Sequence, residues 1–159
     1  MADIAATVAA LEKRVRHLED QLEIYHLLSA YGPAADACSA KVMAELWTED
    51  ATYDAQLVAF DGRDEILAML KSDMHQSIIQ GGGAHVIGMP NVRVDGDTAA
   101  ATCYARLYRQ RDDGFHVWRV TACRWELVRT AEGWRINNRI NRVLDGSEEA
   151  RALLRRGVE

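Results

Sequence analysis

The sequence predicts one α+β domain, with N-terminal helices packed on a curved antiparallel sheet around a pocket, because helix-period segments come first and strand-period segments follow. Helical apolar spacing dominates residues 1–31, whereas β-rich runs separated by Asp-Gly and Glu-Gly turns fill residues 91–143. The 159 residues suit a single domain, which at that size buries about 70% of its unfolded surface. No repeat, low-complexity stretch or linker divides the chain, so residues 1–159 are read as one unit.

The first element is the longest. Ile4, Val8, Leu11, Val15, Leu18, Leu22 and Tyr25 recur at alternating spacings of four and three, the heptad seam of a coiled coil. With Val8, Val15 and Leu22 at the a positions, Arg14 falls at g and Glu19 at e, the offset that pairs parallel helices. A homo-oligomer, dimer or trimer, is therefore expected; the alternative is that the stripe packs on its own subunit. Gly32-Pro33 predicts a break, followed by a second helix over residues 34–47 and a short strand over Thr52-Tyr53-Asp54. After the turn Phe60-Asp61-Gly62-Arg63, Asp64 is placed to cap a helix reaching Leu70. Gly81-Gly82-Gly83 breaks the chain ahead of a strand over residues 84–88. Strands over residues 91–94, 99–109, 115–129 and 134–143 then form a hairpin meander, and residues 144–159 make a tail or short helix.

Composition excludes several function classes. A formal charge of −5 is opposite to the basic footprint that nucleic-acid binding requires. The basic group Arg135, Arg139, Arg142, Arg151, Arg155 and Arg156 near the end reads as a solvated face or subunit contact, with an anion site as the alternative. No apolar run approaches the roughly 20 residues of a membrane helix and no signal core opens the chain, so no membrane partner and a cytoplasmic location are expected. Cys38, Cys103 and Cys123 are widely spaced, form no ligand cluster, and read as buried free thiols. The glycine run lacks the Lys and Ser/Thr of a phosphate loop. Neither a metal nor a cofactor is expected, and any catalysis falls to acid/base side chains.

Histidine is the side chain suited to that work near neutral pH. His17 lies among charged residues and His75 beside Ser72-Asp73, so both are expected in solvent, while His26 reads as structural. His85 begins a strand directly after the glycine hinge, between Ala84 and Val86, where a polar ring needs a partner. Asp36, in the apolar stretch Ala34 to Ala37, is the candidate partner; separate backbone partners for each are the alternative.

These residues carry a resemblance that spans almost the whole chain. Tyr31 with Asp36, the run Leu46-Trp47-Thr48-Glu49-Asp50-Ala51-Thr52-Tyr53, the run Phe60-Asp61-Gly62-Arg63-Asp64-Glu65-Ile66, and His85 with Asp95-Gly96-Asp97-Thr98 all contribute, as do Gly133-Trp134-Arg135-Ile136 and Leu144-Asp145-Gly146. Together they resemble the SnoaL-like branch of the nuclear transport factor 2-like superfamily, which includes scytalone dehydratase, bile-acid 7α-dehydratase and hexachlorocyclohexane dehydrochlorinase. The resemblance implies a cone-shaped domain and a cofactor-independent lyase in which Asp36 orients His85 as the base. It implies that Tyr31 and Tyr53 present hydroxyls to a hydroxylated cyclic or aromatic substrate. Water or a small carbonyl fragment would leave. Family members often carry a second acidic residue three positions after the one matching Asp36; here Ser39 stands there, which favours elimination over hydrolysis.

Strand parity extends the expected site. Trp134, Ile136, Asn138, Ile140 and Arg142 alternate onto one face, so Asn138 is expected either to meet the ligand or to bond neighbouring backbone, and Arg142 to pair with a substrate oxygen or with a carboxylate. His116 and Trp118 lie in a run that is apolar on both faces, and are expected either to line the pocket or to lie under a neighbouring subunit. A non-catalytic protein that binds an apolar or aromatic small molecule is the alternative function, and an assembly module a third.

Overall fold

The turns expected in the second half of the chain form hairpins. In a computed structural model that describes residues 3–159, β4 (Asn91–Asp95), β5 (Thr98–Arg111), β6 (Gly114–Thr130) and β7 (Gly133–Val143) run antiparallel to their sequence neighbours. Gly96, Gly114 and Gly133 take positive φ at the three turns, which is the conformation such tight connections demand. β3 (Gly83–Ile87) pairs antiparallel with the far half of β5, from Gly83 opposite Arg109 to Ile87 opposite Ala105.

One edge of the sheet departs from expectation. β1 (Trp47–Asp54) pairs with β2 (Ala59–Asp61) as a hairpin but runs parallel to β7, so the sheet is mixed rather than antiparallel. Its path is β2-β1-β7-β6-β5-β3, with β4 also on β5. Local turn signals set the direction of strands joined by hairpins. β1 and β7 lie far apart in sequence, and no turn specifies their relation.

The helices also depart in detail. α1 (Ile4–Asp36) does not break at Gly32-Pro33 but continues to Asp36, with Ala37 N–H donating to the Pro33 carbonyl at 2.9 Å. Gly32 serves close approach instead: a Cβ there would overlap the carbonyl oxygen of His85, so only glycine lets α1 lie directly on β3. The second helix is shorter than expected. Cys38 turns the chain with φ of 50°, Ser39 caps α2 (Ala40–Leu46) by accepting from Val42 N–H at 3.4 Å, and Trp47 already belongs to β1. α3 (Arg63–Met69) starts behind Gly62, so Asp64 lies inside its first turn rather than at its cap. α4 (Asp73–Gln80), capped by Ser72, stands where no helix was expected. The C-terminal segment is helical as α5 (Glu148–Val158), with Glu148 and Glu149 in its first turn and Arg155 and Arg156 in its last, a charge order that suits the helix dipole.

Packing divides α1 into two parts. From Ile24 onward it buries Ile24, Leu28 and Tyr31 against Trp47, Trp125 and Trp134. Before Asp20 its apolar stripe faces outward, with Ile4 78% and Leu18 62% exposed. A clamp marks the boundary. Arg129 donates to both oxygens of Asp20 at 2.7 and 2.8 Å and lies 4.5 Å over the ring of Trp134, whose indole N–H also reaches Asp20. That arrangement holds the Asp20 carboxyl below its ordinary pKa, through the Arg129 hydrogen bonds against the opposing effect of burial.

Candidate functional site

The end of α1 and the start of β3 meet at one side of a cavity of about 270 Å³, bounded by the sheet, α1, α4 and the β1–β2 hairpin. Asp36 is the last residue of α1 and His85 the third of β3, and the Gly32 crossing brings them together. Both carboxylate oxygens grip the histidine: Oδ2 accepts the His85 backbone N–H at 2.9 Å, and Oδ1 lies 2.6 Å from Nδ1. A carboxylate accepts only, so Nδ1 carries a proton and Nε2 is the basic nitrogen of the ring.

His75 is a member of this group that was expected in solvent. It is 5% exposed, because Ser72 caps α4 and turns His75 and Ile78, three apart, to the same inward face. Its Nε2 lies 2.9 Å from the Ala35 carbonyl and so donates there, and its ring stacks on His85 with centroids 5.7 Å apart. Burial, reinforced by repulsion from His85, holds the His75 pKa below the usual histidine value. A neutral ring beside His85 results. The cap motif Ser72-Asp73 with Ile78 was the available sequence signal.

Tyr31 and Tyr53 both line the cavity. Tyr31 packs edge-on to Trp125 with centroids 5.2 Å apart, and burial drives its pKa up, so it stays a neutral phenol. Tyr53 stacks on Phe60 and its hydroxyl accepts from Asn141 Nδ2 at 2.9 Å.

The parity expected for the last strand is reversed beyond Ile136. Glu126 pairs with Asn138 but Leu127 with Ile136, leaving Asn137 as an extra residue, a β-bulge. Every side chain after it changes face. Arg139 and Asn141, read from sequence as facing away, therefore line the cavity, while Asn138 and Arg142 do not. Asn138 accepts from Thr52 at 3.0 Å and donates to Glu126. Arg142 pairs with Asp54 at 2.6 Å, lowering that carboxyl's pKa, and reaches Glu149 of α5. A second irregularity, at Leu107/Tyr108 against Arg119 and Val117, leaves Trp118 unpaired. Trp118 stands outside the cavity between Arg109 and Arg119, and His116 pairs with Asp113 at the exposed hairpin tip. His17 and His26 are exposed on α1.

Arg139 is 3% exposed with no carboxylate partner among the described residues, correcting its reading as part of a solvated face. Its guanidinium carbon lies 4.0 Å from the Trp125 ring centroid, 4.2 Å from that of Tyr31 and 4.6 Å from that of Tyr53. Its Nε donates to Cys123 Sγ at 3.4 Å. Burial works against the Cys123 thiolate, but the Cys103 and Arg139 contacts outweigh it and draw that thiol down to about 7. Among the described residues, no group of three or more His, Cys, Asp and Glu side chains is placed to hold a metal ion, and no helix is long and apolar enough to cross a membrane.

A helix-wrapped, curved sheet with an apolar cavity reaching a histidine–aspartate pair defines a class: the nuclear transport factor 2-like, cystatin-like α+β fold. Within it, residues 16–140 match the SnoaL-like domain, and the chain belongs to that family. Rv2910c of Mycobacterium tuberculosis, an uncharacterized protein, is 33% identical over 79% of this chain and 86% of its own. A solved NTF2-like protein with a cystatin-like fold from Novosphingobium aromaticivorans is 41% identical with a TM-score of 0.88, over 97% of this chain and 98% of that one. A putative aromatic ring hydroxylase from the same organism is 26% identical with a TM-score of 0.62, over 80% of this chain and 90% of that one.

Proposed function

We propose that the protein is a cofactor-independent lyase acting on a hydroxylated cyclic or aromatic small molecule in the cytoplasm. His85 Nε2 takes a proton from a substrate carbon, the C–H electrons form the new double bond, and the carbon–oxygen bond opposite breaks. The imidazolium returns its proton to the departing hydroxide, so water leaves and the histidine is regenerated. In the carbon–carbon alternative His85 Nε2 takes the proton of a substrate hydroxyl instead, the hydroxyl-bearing carbon becomes the carbonyl of the departing fragment as its bond to the ring breaks, and the electron pair left on the ring takes the proton back from the imidazolium. The observation that carries this reading is the two-oxygen grip of Asp36 on His85, which fixes ring position and tautomer together. Tyr31, a buried neutral phenol on the cavity wall, suits polarisation of a substrate oxygen, and Tyr53 suits orientation of the ring.

Candidate cyclic hydroxyketones incubated with the protein in deuterated water and followed by proton NMR test this. Loss of water or deuterium uptake beside the carbonyl, falling about 10²–10⁴-fold in His85→Ala, is the expected result. Saturable binding with no turnover or exchange favours the alternative, a small-molecule binding protein.

The exposed stripe of α1 supports assembly as a second feature. Valine at a and leucine at d favour two parallel strands, and Arg14 is set to meet Glu19 of a second copy. Sedimentation should give twice the 17.8 kDa chain mass, and Leu11→Glu with Leu18→Glu should return the monomer. An unchanged mass in that variant removes the helix from the interface.

A further inference from the structure

His85, Leu107 and Arg119 form one row across three strands: His85 of β3 pairs with Leu107 of β5, and Leu107 pairs with Arg119 of β6. All three line the cavity. Directly paired residues share a sheet face and neighbouring strands lie about 4.8 Å apart, so His85 and Arg119 are rooted about 10 Å apart over the same pocket. One ring with a short substituent fills that span. Arg119 is half-buried and makes no ion pair or side-chain hydrogen bond among the described residues, so its guanidinium keeps its donors free. The irregularity at Leu107/Tyr108 sets Trp118 beside it as an extra residue of β6, with the indole centroid 5.6 Å from the Arg119 guanidinium carbon. Arg109 lies against the same indole at 5.6 Å and donates to the Ser77 carbonyl of α4 at 3.2 Å, on the side of the sheet that α4 covers. No Asp or Glu lines the cavity, although the whole chain carries a formal charge of −5. The row therefore has a base at one end and an unpaired cation at the other. The two other cavity arginines are placed differently. Arg106, one residue off the row, starts on the opposite sheet face with its guanidinium beside Gly88, and Arg139 is enclosed by three rings and Cys123.

We propose that Arg119 is a carboxylate-binding residue and that the ligand is a carboxylated ring compound, its acid group on Arg119 and its ring spanning the row towards His85. This rests on the proposed function's reading of the cavity as a substrate site, and it narrows the substrate class. The planar guanidinium offers two parallel N–H donors that match the two oxygens of a carboxylate. Arg109 strengthens the positive field at that end of the cavity, and the Trp118 indole between the two cations gives the Arg119 guanidinium a surface to rest on. A ring anchored in this way presents its far side to His85 Nε2. The carboxylate stays ionised throughout and takes no part in bond making or breaking, so the proton balance of the elimination is unchanged. The cavity of about 270 Å³ lies at the lower edge of the roughly 300–1,000 Å³ usual for ligand pockets, which suits a single ring with small substituents.

The probes are benzoate and benzamide, which share a ring and a planar substituent but differ in charge, titrated calorimetrically into the full-length protein at neutral pH. Benzoate should bind at least about tenfold more tightly than benzamide. Arg119→Met should bring the two affinities within about twofold of each other, and Arg119→Lys, which keeps the charge but loses the fork, should retain part of the preference. A second measurement covers the case in which Arg119→Met does not fold: in the wild-type protein benzoate should shift the NMR signal of the Trp118 indole N–H, assigned with Trp118→Phe, and benzamide should shift it less. A smaller margin for benzoate over benzamide, no saturable benzoate binding, a preference that survives Arg119→Met, or a Trp118 signal unmoved by bound benzoate overturns the proposal. Benzoate binding through Arg119 without turnover of any carboxylated hydroxyketone leaves this inference standing and removes the lyase reading. His85-dependent turnover of neutral hydroxyketones with no preference for benzoate does the reverse.

Discussion

The two polar sets of the cavity are built in opposite ways. Around Asp36 the hydrogen-bonding groups are engaged: both carboxylate oxygens hold His85, and His75 donates to Ala35. Around Arg139 they are left open, with Nη1 and the neighbouring Asn141 Oδ1 unpartnered in a buried setting. A satisfied group is held in position by its partners, whereas an unsatisfied buried one carries a standing desolvation cost. Under the proposed function the first set is the one that would hold the base in place for proton transfer.

Substitutions should separate the two. The largest effect is expected from Asp36→Asn, which keeps the shape but presents an amide where His85 needs an acceptor, disturbing the tautomer. Turnover should fall about 10²–10⁴-fold with ligand affinity held within a few-fold, measured as kcat against Kd. A large loss of affinity instead would erase the distinction between the sets. Tyr53→Phe, by contrast, removes the acceptor for Asn141 and should weaken ligand binding by about 1 kcal/mol while leaving the His85 environment unchanged in NMR spectra.

How far this contrast was visible in the sequence differs between its two sides. Asp36 and His85 stand out in the chain itself, one in an apolar helix end and the other behind a glycine run, although their meeting depends on Gly32 as a point of helix–strand contact rather than as a break. Arg139 and Asn141 were hidden by a single residue. Strand alternation is a period of two, and the bulge at Asn137 shifts everything after it by one, which exchanged them with Asn138 and Arg142. The irregularity at Trp118 hides that residue's placement in the same way. The parallel pairing of β1 with β7 has no local signal, because no turn joins them. The hairpins and the heptad helix rest on local patterns and are read directly.

Acid should act in turn on two sites, His75 beside the first set and the Asp20 clamp outside the cavity. His75 has its pKa lowered by burial, so the unfolded chain takes up its proton first; stability should be full above about 6.5 and decline as pH falls below it. Asp20 has its pKa lowered by Arg129, so its contribution is present above the ordinary aspartate value of about 4 and is lost as pH falls through its folded value. Thermal melts across pH 3–8 should show both declines, with His75→Gln removing only the upper one. Asp20→Asn should cost about 2 kcal/mol at neutral pH, less than a wholly buried pair because Arg129 is partly exposed. The smallest effects belong to Asn138→Ala and Arg142→Ala, which should leave ligand affinity within about twofold, since neither residue lines the cavity.

The most direct measurement is turnover by wild type and His85→Ala in deuterated water on the same cyclic hydroxyketone, with binding measured in parallel. His85 acting as the base predicts retained binding with elimination and deuterium uptake both reduced about 10²–10⁴-fold. A folded His85→Ala protein that binds equally and turns over at the wild-type rate would contradict it.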